Sequence, residues 1–153
     1  MNPAIADFLA QRNIAVAGVS RKGPTQPANL IYRKLRDGGY RVFPVNPAAD
    51  QMEGGKCYPN LASIPEALDG VVIATRPEVT EKVVEECIKL GIPRVWMHRS
   101  FGEGSVSEKA IANCKSHQIK VIEGGCPMMF CSPVDLPHRC MRWFLGVTGR
   151  LSA

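Results

Sequence analysis

Residues 14–25 read Ile14-Ala-Val-Ala-Gly-Val-Ser-Arg-Lys-Gly-Pro-Thr25. The first four are apolar, as a strand buried on both faces requires. Gly18 interrupts the run, and small and basic residues then lead to Pro27, the expected first residue of a helix. A strand, a glycine turn and a helix start, in that order, outline a phosphate-binding turn. The spacing is Gly18-x-Ser20-x-x-Gly23, so a serine stands where the dinucleotide fingerprint G-x-G-x-x-G has its middle glycine. Gly18 permits close backbone approach, Ser20 adds a hydroxyl, and Arg21 and Lys22 add cations that a plain glycine turn lacks. Taken alone, the stretch fits a ligand-holding turn and an empty strand-to-helix loop equally well.

The same alternation continues along the chain. A helix is expected over Pro27–Asp37, with Ala28, Ile31 and Leu35 on one face and Gly38-Gly39 past its end. Arg41–Val45 reads as the second strand, and Pro44 puts it at an edge or a strand end. Asn46–Lys56 reads as a loop, followed by Cys57-Tyr58-Pro59 and a short helix near Ile64–Leu68. Gly70–Thr75 is the third strand, and Pro77 opens a helix that closes at Gly91. Arg94–Met97 is the fourth strand, Ser107–Ser116 a helix, and Ile119–Ile122 the fifth strand. Residues 1–12 form an N-terminal helix with Ala4, Phe8 and Leu9 turned to the sheet. Residues 124–153 are a Cys/Met-rich tail, irregular at first and then helical over His138–Leu145. The expected fold is α/β, Rossmann-like and doubly wound: about five parallel strands with helices on both faces, in a single domain over 1–153.

Composition bounds the function classes. At 45% hydrophobic and 22% charged, the 153 residues resemble an ordinary globular domain able to bury a core. The apolar runs are too short to span a bilayer, and the N-terminus lacks a signal-peptide pattern, so a cytoplasmic protein is expected. A formal charge of +5 fits a solvated basic surface or an anionic small ligand. Nucleic acid is not expected, because no Lys/Arg run is interleaved with aromatics. The six cysteines read as reduced thiols, Cys87 and Cys114 as core residues. Cys126, Cys131, His138 and Cys140 make a nominal four-ligand set, but C-x4-C-x6-H-x-C is no standard zinc spacing and no metal is expected. Met128, Met129 and Phe130 read as a plug at the sheet's end with Cys126 buried beside them.

Ligands of an open parallel sheet bind outside the carboxyl ends of its strands. Three segments lie there: Gly18–Thr25, Val45-Asn46-Pro47 and Thr75-Arg76-Pro77. NAD-binding domains place a carboxylate after the second strand, whereas the nearest here, Asp50, lies well past it. NAD is therefore disfavoured, while Arg21 or Lys22 leaves NADP open through its extra phosphate. Arg76 faces either a phosphate or solvent.

The spaced set IAVAGVSRKG, GYRVFPVNP with KCYPNL downstream, VVIATRPEV and RVWMHRS resembles the CoA-binding domain family over about Ile5 to Glu123. These small bacterial proteins are similar to the N-terminal nucleotide-binding domain of succinyl-CoA synthetase alpha subunits and related acyl-CoA ligases. The resemblance implies that Gly18, Val19, Ser20, Arg21 and Lys22 receive the CoA phosphates, and that Val45, Asn46 and Pro47 lie along the adenosine. It implies that Ala74, Thr75, Arg76 and Pro77 border the pantetheine route, with Met97 and His98 further along. The implied ligand is CoA or acyl-CoA, held noncovalently and without metal.

The ligases also need a phosphorylated histidine in a second domain, for which this length leaves no room. Among His98, His117 and His138, none lies in a glycine-rich histidine loop. A non-catalytic binding module is therefore expected, acting alone, as a homodimer or with a partner enzyme subunit. Trp143, Phe144 and Leu145 either form a partner surface or pack on the core. Two alternatives stand beside it: an NAD(P)-dependent oxidoreductase or acyl-CoA ligase subunit, and a thiol-redox or metal-responsive interaction protein. In the position of Cys126 there is a further expectation, a mixed disulfide with the CoA thiol.

Overall fold

The computed structural model describes residues 2–149; Met1 and residues 150–153, the ends of the expected domain, lie outside the described residues. Five parallel strands form the main sheet: β1 (Asn13–Ala17), β2 (Arg41–Val45), β5 (Gly70–Ile73), β6 (Arg94–Met97) and β7 (Lys120–Glu123). Their spatial order is β2-β1-β5-β6-β7, a doubly wound order. The expected α/β Rossmann-like fold is present. β2 lies at the edge, which tolerates the missing amide of Pro44. In register, Ile14 to Ala17 oppose Val42 to Val45 on one side and Gly70 to Ile73 on the other.

Alternation along these strands fills two cores. Ile14, Val16, Val72, Trp96 and Ile122 face α1 (Pro3–Leu9), α2 (Pro27–Asp37) and the tail. Ala15, Ala17, Val71, Ile73, Val95 and Met97 face α3 (Pro77–Leu90) and α4 (Glu108–Ser116). Each fully buried aliphatic side chain contributes roughly 1.5–3 kcal/mol relative to exposure. On the first face α1 buries Ile5 and Phe8, with Ala4 and Leu9 packing at its margin. The Phe8 ring meets Trp96 edge-on at 5.4 Å. Cys87 and Cys114 are buried on the second face, as their helical spacing implies.

Beyond one- to three-residue shifts at other ends, four elements differ from the sequence reading. The expected helix at Ile64–Leu68 is instead a 3-10 turn over Leu61–Ser63, whose Asn60 side chain accepts from the Ser63 amide at 2.9 Å. Ile64 precedes Pro65, and that contact drives its backbone out of the helical region. The expected loop Asn46–Lys56 contains a small antiparallel hairpin, β3 (Gln51–Met52) with β4 (Gly55–Lys56). Its turn places Glu53 at φ 48° and Gly54 at φ 79°, the two positive values a tight hairpin needs. The third strand ends at Ile73, and Ala74 and Thr75 leave the ladder. The tail helix α5 (Leu136–Val147) begins before His138 because Asp135 accepts from the His138 amide at 3.0 Å and caps it.

Within the tail, Cys126, Met129 and Leu145 are buried and Phe130 packs against Trp96 at 6.0 Å. Leu145 is thus core rather than partner surface, whereas Trp143 and Phe144 remain exposed. Among the described residues, no helix is long and apolar enough to cross a membrane.

Candidate functional site

The turn after β1 is shaped by two residues that carry no charge. Gly18 stands at φ 101°, and a Cβ there would lie 2.3 Å from the Ala74 carbonyl oxygen. Only glycine lets the ends of β1 and β5 come this close. Asn29 of α2 is buried; its amide nitrogen donates to Ser20 O at 2.7 Å and Gly23 O at 3.3 Å, and its oxygen accepts from the Ser20 amide at 2.8 Å. The turn is therefore clamped to the helix that follows it. Ser20 Oγ lies 3.1 Å from both the Lys22 amide and carbonyl oxygen. Arg21 and Lys22 point their side chains to solvent. The first turn of α2 has no side-chain cap, so its amides remain available to an anion.

The second segment is tied to the first. Asn46 Nδ2 donates to Val19 O at 2.6 Å, and the Gly18 amide donates to Val45 O at 3.2 Å. Val19 and Val45 bury their side chains and face the site through backbone only, while Pro47 is exposed. Tyr58 bridges β2 beyond its end: its carbonyl accepts from the Asn46 amide, and its amide donates to Pro44 O, both at 2.9 Å. The third segment lies across the β1–β5 crevice, the point where strand order reverses. There Thr75 Oγ1 and Thr80 Oγ1 meet at 3.0 Å, and Arg76 caps α3 with its side chain exposed.

Two cavities share these residues. One of about 740 Å³ lies at the strand ends, lined by Gly18, Ala74, Thr75, Arg76 and Pro77 and by the loop after β6 with His98, Ser100 and Phe101. A smaller one of about 210 Å³ lies between Ser20, Arg21 and Asn29 and the hairpin residues Met52 and Glu53. Glu53 is held in place by Arg33 and by Arg36, the latter at 3.3 Å. The structure thus gathers the three expected segments but places Met97 elsewhere. Its side chain is fully buried in the core on the α3 face. Alternation sends Met97 inward, so His98 and Ser100 border the cavity.

The hairpin wall and the β6 loop were missed in the sequence. The hairpin's signal was Glu53-Gly54-Gly55; the loop's was Gly102 and Gly104 directly after Ser100-Phe101.

Burial holds the His98 imidazole down at about 4, so the ring is neutral at neutral pH. It pushes the Cys126 thiol up to about 11 and leaves the residue 1% exposed. A protonated, covered thiol is a poor partner for disulfide exchange, so the expected mixed disulfide at Cys126 finds no support in this geometry. Cys131 is buried and Cys140 exposed, and no group of three or more His, Cys, Asp or Glu gathers at metal-holding distances among the described residues.

Comparison with known proteins places the chain in a family. "Acetate--CoA ligase [ADP-forming] II" of Archaeoglobus fulgidus is 30% identical over 127 residues, covering 78% of this chain and 19% of that ligase. The chain therefore spans about a fifth of that relative's length. "Uncharacterized protein YneT" of Bacillus subtilis is 31% identical over 129 residues, covering 82% of this chain and 92% of that protein. A solved hypothetical protein from Pyrococcus horikoshii OT3 superposes with a TM-score of 0.75 at 30% identity, covering 81% of this chain and 84% of its own. The family model described as CoA binding domain matches residues 12–132, from the start of β1 through the turn after β7, so the chain belongs to the CoA-binding domain family.

Proposed function

We propose that the protein binds CoA or an acyl-CoA at the carboxyl ends of β1, β2 and β5. The observation that carries this reading is the clamped turn Gly18–Lys22. Its backbone is fixed by Asn29 and Asn46, and beside it stand two exposed cations without an ion-pair partner among the described residues and an uncapped helix start. That arrangement suits a ligand with several phosphates. Arg21 and Lys22 meet the phosphates, Asn46 and Pro47 flank the nucleoside, and Ala74 to Pro77 line the route of the pantetheine arm. The ligation reaction of the longer relatives is not part of the reading. The exposed Trp143 and Phe144 on α5 are the surface on which a second copy or a partner subunit would sit.

Melting curves taken with CoA, acetyl-CoA, NAD and NADP in parallel test this reading. CoA and acetyl-CoA are expected to raise the transition. A shift with NADP and none with CoA overturns the proposal. The double substitution Arg21→Ala, Lys22→Ala is expected to weaken CoA by at least tenfold, and dephospho-CoA by less. Equal losses for both ligands would remove these cations from the 3′-phosphate.

A further inference from the structure

The loop after β6 carries two side chains that ligand retention does not require. His98 is 8% exposed, and its Nε2 lies 3.1 Å from Ser100 Oγ. Both line the 740 Å³ cavity opposite Thr75 and Arg76. Nε2 is the ring nitrogen placed to take up the serine proton. The Ser100 hydroxyl also faces the Cys126 thiol on the adjacent turn. Beyond it, the amides of Ser100, Phe101, Gly102, Glu103 and Gly104 make no hydrogen bond among the described residues. Gly102 and Gly104 hold positive φ, which turns the backbone sharply around the cavity's rim. Phe101 to Gly104 are exposed at that rim, where a carbonyl oxygen entering the cavity would meet amide donors.

We propose that Ser100 and His98 form a nucleophile–base pair that hydrolyses the thioester of an acyl-CoA bound in this cavity. The inference rests on the CoA-binding reading above and adds one reaction to a chain whose sequence reads as non-catalytic. Ser100 Oγ attacks the thioester carbonyl carbon as its proton passes to His98 Nε2. The tetrahedral oxyanion collapses, the carbon–sulfur bond breaks, and the sulfur leaves with the electron pair and takes the proton from His98. Water then attacks the Ser100 ester, His98 receives its proton, and the proton returns to Oγ as the carbon–oxygen bond breaks. The sum is acyl-CoA plus water giving a carboxylic acid and CoA, with no change in oxidation state.

The test incubates the purified full-length protein with acetyl-CoA and with benzoyl-CoA and measures CoA release by chromatography. Melting curves with CoA are recorded on the same samples. The wild type is expected to release CoA faster than buffer, to show an acyl adduct at Ser100 by mass, and to lose rate as the pH falls through about 4. Ser100→Ala and His98→Gln are each expected to slow release by about 100-fold. Circular dichroism checks that each variant is folded, and only folded variants are compared. If CoA raises the melting point but the wild type releases no CoA above buffer, this inference falls and the binding reading stands. If CoA does not raise the melting point, the binding reading itself falls. Full activity in Ser100→Ala, or an adduct on Cys126 instead, also overturns the role of Ser100.

Discussion

At the scale of single residues, the site depends on positions that carry little chemistry of their own. Gly18 combines a left-handed φ with a carbonyl 2.3 Å from where a Cβ would sit, so relief by rotamer change is not available. Gly18→Ala should cost on the order of 3 kcal/mol or more and remove CoA binding, as urea unfolding and melting curves with CoA would read. Asn29 is buried and holds the turn from both sides. Asn29→Ala leaves the Ser20 amide without its acceptor and should cost about 2–3 kcal/mol in the same measurement. His98 gives a pH signature. Its folded pKa is depressed to about 4 by burial, below its ordinary 6.5. Between those values the unfolded chain takes up a proton that the folded chain refuses, so stability falls as the pH drops from about 6.5 and levels below about 4. Unfolding followed across that range should show the slope in the wild type and a flatter one in His98→Gln.

At the scale of elements, short helices and turns are secured by charge and caps. Asp7 on α1 accepts from Arg94 Nε at 2.8 Å and Lys120 Nζ at 3.0 Å, so one carboxylate joins the first helix to β6 and β7. The Arg94 and Lys120 hydrogen bonds hold its pKa down at about 2 from 3.8. The stabilisation is fully present above about 3.8 and is lost as the pH falls through about 2. Asp7→Asn should remove that part of the acid dependence, visible as a shallower loss of melting temperature between pH 4 and 2. Elements whose signals are local were legible in the chain: α2 matched its expected ends because Pro27 and Gly38 mark them. The hairpin β3–β4 was not legible, since two-residue strands carry no periodicity and only Glu53-Gly54 marked the turn. The missed coil at Ile64–Leu68 has the same character, one proline outweighing several helix-compatible neighbours.

At the scale of the whole molecule, the candidate site draws on β1, β2, β5 and the loop after β6, so a ligand there binds only the assembled sheet. Ligand at one hundred times its dissociation constant should therefore raise the cooperative transition by about 2.7 kcal/mol, without a separate early phase. A biphasic melt would show that α5, with Trp143 and Val147 exposed, unfolds apart from the sheet. Local pattern in the chain determined the alternation of strands and helices, the parallel sheet and the three segments at its carboxyl edge. Each is read from residues adjacent in sequence: apolar runs, glycine turns and prolines at helix starts. Tertiary structure decided which side chains line the candidate site. Alternation across β6 buried Met97 and left His98 at the cavity edge, the hairpin came to face Arg21 across a small cavity, and Asn29 and Asn46 fixed the turn from two other elements. Those outcomes depend on contacts between residues far apart in the chain, and such contacts exist only after the sheet has closed over its two cores.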